Sequence, residues 1–213
     1  MERLWSVRAV FIATGILMAV AHSLVTAQPT TPTVRMAPAT GLFLIASPSM
    51  GDPSFAKTVV LICDHSSDGT LGLIVNRPTP VRLAEVLPTL PVLKGTSYLV
   101  FWGGPVEPGG VLMLFRTAAP PPNTKQVLRD VHVGGNLATV ERLITQPQPR
   151  ETFHAYAGYA GWAPGQLAYE LTLGSWALVE ASAEAIFEKD PELLWQELSE
   201  SQQRPKAIRF DGP

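Results

Sequence analysis

Two apolar runs, Thr58–Asp64 (TVVLICD) and Thr70–Asn76 (TLGLIVN), are separated only by His65 and the turn-forming stretch Ser66-Ser67-Asp68-Gly69. That spacing constrains the fold more than any other feature of the chain. Runs rich in β-branched and apolar residues predict strands. A connection this short predicts an antiparallel hairpin, because a parallel pair needs a crossover of roughly a dozen residues. Thr58–Asp64 is continuously apolar rather than alternating, so it predicts a strand buried on both faces.

The rest of the chain follows the same pattern. Gly41–Ser47 predicts a strand, and Pro48, Gly51, Asp52 and Pro53 the loop after it. Pro78 and Pro80 predict the end of the hairpin, and Leu83, Val86 and Leu87 a short helix over Val81–Leu87. Ser97–Trp102 and Gly110–Arg116 predict strands on either side of Gly103-Gly104-Pro105. Ala118–Asn123 predicts a surface loop, and Gln126–Val133 one weaker strand. Asn136 is an N-cap for a helix reaching Gln146, with Leu137, Val140, Leu143 and Ile144 on one face. Thr152–Ala157 predicts a strand, Pro164 the first turn of a helix to Leu173, and Trp176–Val179 a brief strand. Ser182 and Asp190 cap helices over Ala183–Phe187 and Pro191–Ser199. Helices interspersed with strands on short turns predict an α+β fold with a mixed, mostly antiparallel sheet, in a single domain over residues 41–213. A 46% hydrophobic content supplies its core.

Ahead of that domain, Arg3 and Arg8 precede the uncharged run Ala9–Ala21, and Val25-Thr26-Ala27 follows with small residues at two positions. This order predicts a signal peptide over residues 1–27, cleaved after Ala27, and a periplasmic or secreted protein. The alternative is an uncleaved anchor in the inner membrane, for which Ala9–Ala27 is just long enough. Residues 28–40 are Pro/Thr-rich and predict a flexible leader. A net charge of −2 without a Lys/Arg run argues against a nucleic-acid partner. The single cysteine, Cys63, excludes an intrachain disulfide and predicts a buried, inert thiol.

Four segments in order carry a family likeness: Gly41–Thr58 (GLFLIASPSMGDPSFAKT), His65–Pro78 (HSSDGTLGLIVNRP), Gly103–Val106 (GGPV) and Ala157–Leu171 (AGYAGWAPGQLAYEL). Over Gly41 to Leu198 the chain resembles the YqgE/AlgH family of bacterial proteins. YAGW followed by PGQL is the most specific match. The resemblance implies an α+β fold whose β-sheet is bifurcated and partly barrel-like, with helices around it. Members are usually described as transcriptional regulators, from a link to alginate production. The resemblance carries over no catalytic or cofactor residues. Two departures stand out: an export signal where typical members look cytoplasmic, and Leu114-Phe115-Arg116 where many members place a histidine.

The residues themselves offer one candidate binding surface. Tyr156, Tyr159, Trp162, Gln166 and Tyr169 combine amphipathic rings with a polar amide, and Gly158 and Gly161 permit close backbone approach. A ligand groove would set the Tyr159–Gln166 loop against His65, Asn76 and Arg77. In the alternative reading Trp162 and Tyr159 are core anchors. Arg77 has Glu107 and Glu170 as candidate carboxylate partners. Cys63 and His65, two apart, would share a strand face, but a nucleophilic pair needs a third group to orient the base. The chain has no G-x-S-x-G elbow, no phosphate loop and no clustered His/Cys ligands (His65, His132 and His154 are far apart), so no cofactor or metal is expected. The sequence reads as an exported protein with a non-enzymatic binding or accessory role, its partner an unidentified ligand or envelope protein. The alternatives are a small envelope hydrolase near His65 and the Tyr159–Gln166 loop, and a transcriptional regulator if the N-terminal segment is not an export signal.

Overall fold

A computed structural model describes residues 36–203. The signal-peptide and anchor readings, and most of the leader, lie outside the described residues. The elements in chain order are β1 Leu42–Ala46, β2 Val59–Ser66, β3 Gly69–Ile74, β4 Pro78–Arg82, α1 Leu83–Val86, β5 Leu99–Trp102 and β6 Val106–Arg116. They continue with β7 Lys125–Leu128, β8 Val131–Gly134, α2 Leu137–Thr145, β9 Thr152–Trp162, α3 Gln166–Thr172, β10 Trp176–Glu180, α4 Ala183–Phe187 and α5 Pro191–Gln203. This is an α+β fold. The sheet runs β10-β1-β2-β3-β9-β6-β8-β7, with β4 and β5 branching from β9. Every pairing is antiparallel except β5 with β9.

The branch point lies on β9. One edge of this strand carries β6, with Thr152 to Ala157 opposite Arg116 to Val111 and Tyr159 opposite Val106. The other edge is shared: β5 pairs in parallel with Ala155–Ala157, and β3 pairs antiparallel with Ala160–Trp162. The chain leaving β5 must therefore cross β9 to become β6, and it crosses at Gly103-Gly104. Gly103 donates its N–H to Ala157 O (2.8 Å) and accepts from Ile74 N (2.9 Å), joining both branches at one residue. A Cβ on Gly103 would overlap the Gly158 carbonyl, and one on Gly158, which has φ 68°, would overlap the Gly104 carbonyl. Only residues without a side chain let the two backbones pass so closely.

The sheet curls without closing. Lys125 of β7 pairs with Asp64 of β2, but no ladder joins the two strands. Phe43, Leu61, Cys63, Leu73, Leu114 and Tyr156 fill the curl, with α4 and α5 packed against it. A second core of Leu44, Val60, Ile62, Trp162, Leu167 and Trp176 lies on the other face of β1 and β2. Leu61 and Cys63 serve one core and Val60 and Ile62 the other, which is why β2 is continuously apolar. The third core, with Val100, Phe115, Val140, Leu143 and Phe153, includes the buried face of α2. The three predicted caps form: Asn136 Oδ1 accepts from Thr139 N (2.9 Å), Ser182 Oγ from Ala185 N (3.1 Å) and Asp190 Oδ1 from Glu192 N (2.9 Å). Among the described residues, no helix is long and apolar enough to cross a membrane.

The hairpin ends before Pro78, as expected, but Pro78 and Pro80 lie inside a further strand, β4, which pairs with β5, and an edge strand tolerates missing N–H groups. Three local expectations give way. Gln126–Val133 is two strands, β7 and β8, joined at Arg129-Asp130. β9 continues past Ala157 to Trp162, because β3 takes over the pairing there. Pro164 precedes α3 instead of opening it, and Gly165 in the left-handed conformation is the N-cap.

The crossing gives a graded test by urea denaturation. Gly158→Ala should lose about 3 kcal/mol or fail to fold, combining a left-handed φ with overlap on fixed backbone. Gly165→Ala, also left-handed (φ 76°) but with open space around it, should lose only about 1 kcal/mol. Equal losses would refute the crossing as the dominant constraint.

Candidate functional site

The motif residues Trp162, Gln166 and Glu170 meet at the end of β9. Trp162 is 5% exposed and packs edge-on to Trp176 (centroids 5.8 Å apart), with Phe55 against both rings. Burying two indoles leaves two N–H groups in need of acceptors. Glu170 on α3 supplies both from one oxygen: its Oε2 accepts from Trp162 Nε1 (2.9 Å) and Trp176 Nε1 (2.8 Å). Its Oε1 accepts from Gln166 Nε2 (3.0 Å), and Gln166 Oε1 accepts from Ala163 N (3.0 Å). The carboxylate fixes α3, β9 and β10 relative to one another, and Gln166 closes the turn between β9 and α3.

Asn76 and Arg77 lie at the opposite end of β3. Asn76 Oδ1 accepts from Val59 N (2.8 Å) and Nδ2 donates to Lys57 O (3.1 Å). The Arg77 guanidinium donates to Ser54 O (2.7 Å), Ala56 O (2.8 Å) and Pro53 O (3.4 Å). Carbonyls of the loop before β2 thus take the place of Glu107 and Glu170 as its partners. Both side chains staple that loop to the sheet.

Cys63 and His65 are not a nucleophilic pair. A β-bulge between Ile62 and Asp64 breaks the alternation, and Cys63 points into the core. Its thiol lies 3.6 Å from Leu61 O, and burial pushes its pKa far up. His65 is exposed, with Nδ1 2.7 Å from Thr70 Oγ1. At the end of β6, Arg116 bridges Asp130 (2.9 Å) and Glu188, tying β6 to the β7–β8 turn and to the end of α4.

A shallow cleft opens on the face of β3, β9 and β6. One cavity, of about 410 Å³, is lined by Asp64, Asp68, Thr70, Leu71, Tyr159 and Trp162, among others. A second, of about 330 Å³, is lined by Glu107, Val111, Leu112 and Gly158 and shares Leu71 and Tyr159 with the first. The two form a trough with Tyr159 at its centre. His65 lines an adjoining recess of about 200 Å³ with Thr70, Gly165 and Leu167. Of the six predicted site residues, Tyr159 and Trp162 line the trough and His65 the recess beside it. Gln166, Asn76 and Arg77 are held by other contacts. Leu71, Val111 and Leu112 escaped the sequence reading because apolar strand residues look like core. Asp64, Asp68, Thr70 and Glu107 are polar, but each sits in or near a turn, where polar residues are ordinary. Among the described residues, no group of three His, Cys, Asp or Glu side chains could hold a metal ion.

A bifurcated α+β sheet with backbone crossing at GGPV, and a buried Trp/Glu cluster built by YAGW and PGQL, defines one class of bacterial protein. The chain belongs to the YqgE/AlgH family: the AlgH-like family model matches residues 43–207. A UPF0301 protein of Streptomyces coelicolor is 37% identical over 172 residues, covering 79% of this chain and 89% of its own. A UPF0301 protein of Myxococcus xanthus is 39% identical over 160 residues, covering 71% and 84%. The solution structure of AlgH from Pseudomonas aeruginosa superposes with a TM-score of 0.61 at 29% identity, covering 80% of this chain and 91% of that one. The crystal structure of DIP2367 from Corynebacterium diphtheriae gives 0.68 at 26% identity, covering 81% and 91%.

Buried Cys63 and half-buried His154 each generate a prediction. Cys63 should resist alkylation in the native protein and react only after denaturation; rapid native labelling would contradict its burial. His154 stacks on Phe101 (4.7 Å) near Phe187, and desolvation lowers its pKa from 6.5 to about 4. The unfolded chain therefore binds this proton more readily than the folded one. The stability that neutral His154 supports is complete above pH 6.5 and is lost as pH falls to about 4, by about 3 kcal/mol in all. His154→Phe should flatten that part of the stability–pH curve, and an unchanged acid slope would refute the assignment.

Proposed function

We propose that this is an exported protein with a non-enzymatic binding or accessory role in the cell envelope, and that it binds through the trough centred on Tyr159. The observation that carries the reading is the trough itself: an apolar floor of Leu71 and Leu112 open to solvent, an aromatic wall and acidic groups at its margin. Such a surface suits recognition. An acyl-transfer site would add a nucleophile, an oriented base and oxyanion donors in one cleft. The acidic margin also disfavours a phosphate backbone, which weighs against the regulator alternative.

One contact favours the hydrolase alternative. The 2.7 Å hydrogen bond between Thr70 Oγ1 and His65 Nδ1 has the geometry of a hydroxyl beside a base. Among the described residues, no acidic group bonds that imidazole to orient it. Turnover of simple esters that disappears in both Thr70→Val and His65→Gln would favour this alternative.

Native mass spectrometry of protein extracted gently from the envelope tests the binding reading. The chain should begin at Gln28 and carry a bound ligand or partner, and Tyr159→Ala should release it while the protein stays folded. An intact Met1 on cytoplasmic protein would overturn export, and a Tyr159→Ala protein that keeps its ligand would remove the trough.

A further inference from the structure

We infer that the trough recognises a cationic, extended segment of a partner protein, with basic side chains alternating with apolar ones. This rests on the trough being the binding surface and adds the chemistry of the occupant.

Three observations converge. Among the described residues, the charged side chains lining the two cavities are Asp64, Asp68 and Glu107, and no lysine, arginine or histidine lines either one. Lys125 neutralises Asp64. Asp68 and Glu107 are exposed, and among the described residues neither forms an ion pair. Among the described residues these two carboxylates are thus uncompensated, one in each cavity. Charges so placed steer and orient a basic partner and repel an acidic one.

Between the carboxylates the floor is apolar. Leu71, Val106 and Leu112 are half-buried, as is Tyr159 between the cavities. An occupant must offer apolar groups to this floor and positive charge to its margin. An extended peptide does both at once, because successive side chains point to opposite faces.

The shape favours a peptide over a small cation. Drug-sized ligands bury most of their surface in an enclosed pocket. Here two cavities adjoin and both are open, so a small amine would remain largely hydrated. A segment lying along both keeps one side in solvent and remains attached to its own protein. Glu107 holds its side chain at the second cavity from a left-handed backbone (φ 48°), at the start of the exposed Glu107–Gly110 stretch where β6 leaves its register with β9.

The test uses the full chain and two short capped peptides, one alternating lysine with leucine and one alternating glutamate with leucine. Binding is followed by isotope-edited NMR. The lysine peptide should shift resonances of Leu71, Val111, Leu112 and Tyr159, and its affinity should fall steeply between about 50 and about 500 mM salt. The glutamate peptide should not bind. The double variant Asp68→Asn/Glu107→Gln changes only exposed side chains and should weaken lysine-peptide binding about tenfold or more. Glu85→Gln/Glu192→Gln, with the same change in net charge elsewhere on the surface, should leave it unchanged.

Failure of the lysine peptide to bind, equal binding of the glutamate peptide, an unaffected Asp68→Asn/Glu107→Gln protein, or shifts confined to another surface would each overturn the inference. If the lysine peptide fails while Tyr159→Ala still releases the copurified ligand, the cationic chemistry falls and the trough stands. If Tyr159→Ala retains that ligand, the trough falls with it.

Discussion

The passage of the backbone over itself at Gly103-Gly104 and Gly158 underlies the rest of this fold. β9 has two edges and three neighbours, so one edge must be divided between β5 and β3. The chain that has just formed β5 must then reach the opposite edge to form β6. It can do so only by lying directly on β9, at a place where neither backbone has a side chain. Gly103 bonds to Ala157 and Ile74 as it passes, so the crossing is stitched to both branches. The apolar cores on either side of the sheet follow from that division.

The crossing also places the trough. Once over β9, the chain pairs Val106 with Tyr159 and then leaves register until Val111. A regular ladder there would carry close side-chain packing along the whole strand. The interruption instead leaves Glu107–Gly110 exposed beside a cavity on whose floor Leu71 and Leu112 stand. The constraint that forbids side chains at the crossing and the irregularity that opens the trough are consecutive in sequence. In this chain GGPV is structural, and the trough opens beside the next few residues.

What the sequence disclosed depended on how local each signal was. The β2–β3 hairpin, the caps at Asn136, Ser182 and Asp190 and the double burial of β2 rest on neighbouring residues, and each was readable. The β7–β8 turn was not, because Arg129-Asp130 contains neither Gly nor Pro and the flanking apolar residues run through it without a break. The length of β9 was hidden too: Gly158 and Gly161 suggest a loop, and only pairing with β3, some ninety positions upstream, keeps Tyr159–Trp162 extended. The α+β class needed only short connections, whereas the bifurcated sheet came from family resemblance, since no local pattern encodes a shared strand edge.

The candidate site was legible only in part, for a related reason. Trp162 and Gln166 drew attention because aromatic and amide side chains serve both ligands and cores. Contacts within the fold account for the polar atoms of both: Glu170 takes the Trp162 indole N–H and the Gln166 amide N–H, and Gln166 Oε1 accepts from Ala163 N. Tyr159 differs. It is half-buried, has no side-chain hydrogen bond among the described residues, and stands between two cavities. Two aromatics three residues apart on one strand thus have different polar surroundings: an indole fully satisfied by protein, and a phenol left facing a solvent-open trough. Partner satisfaction separates them where residue type could not, because a buried polar group must find its acceptor within the fold while a half-buried one can leave its own to solvent.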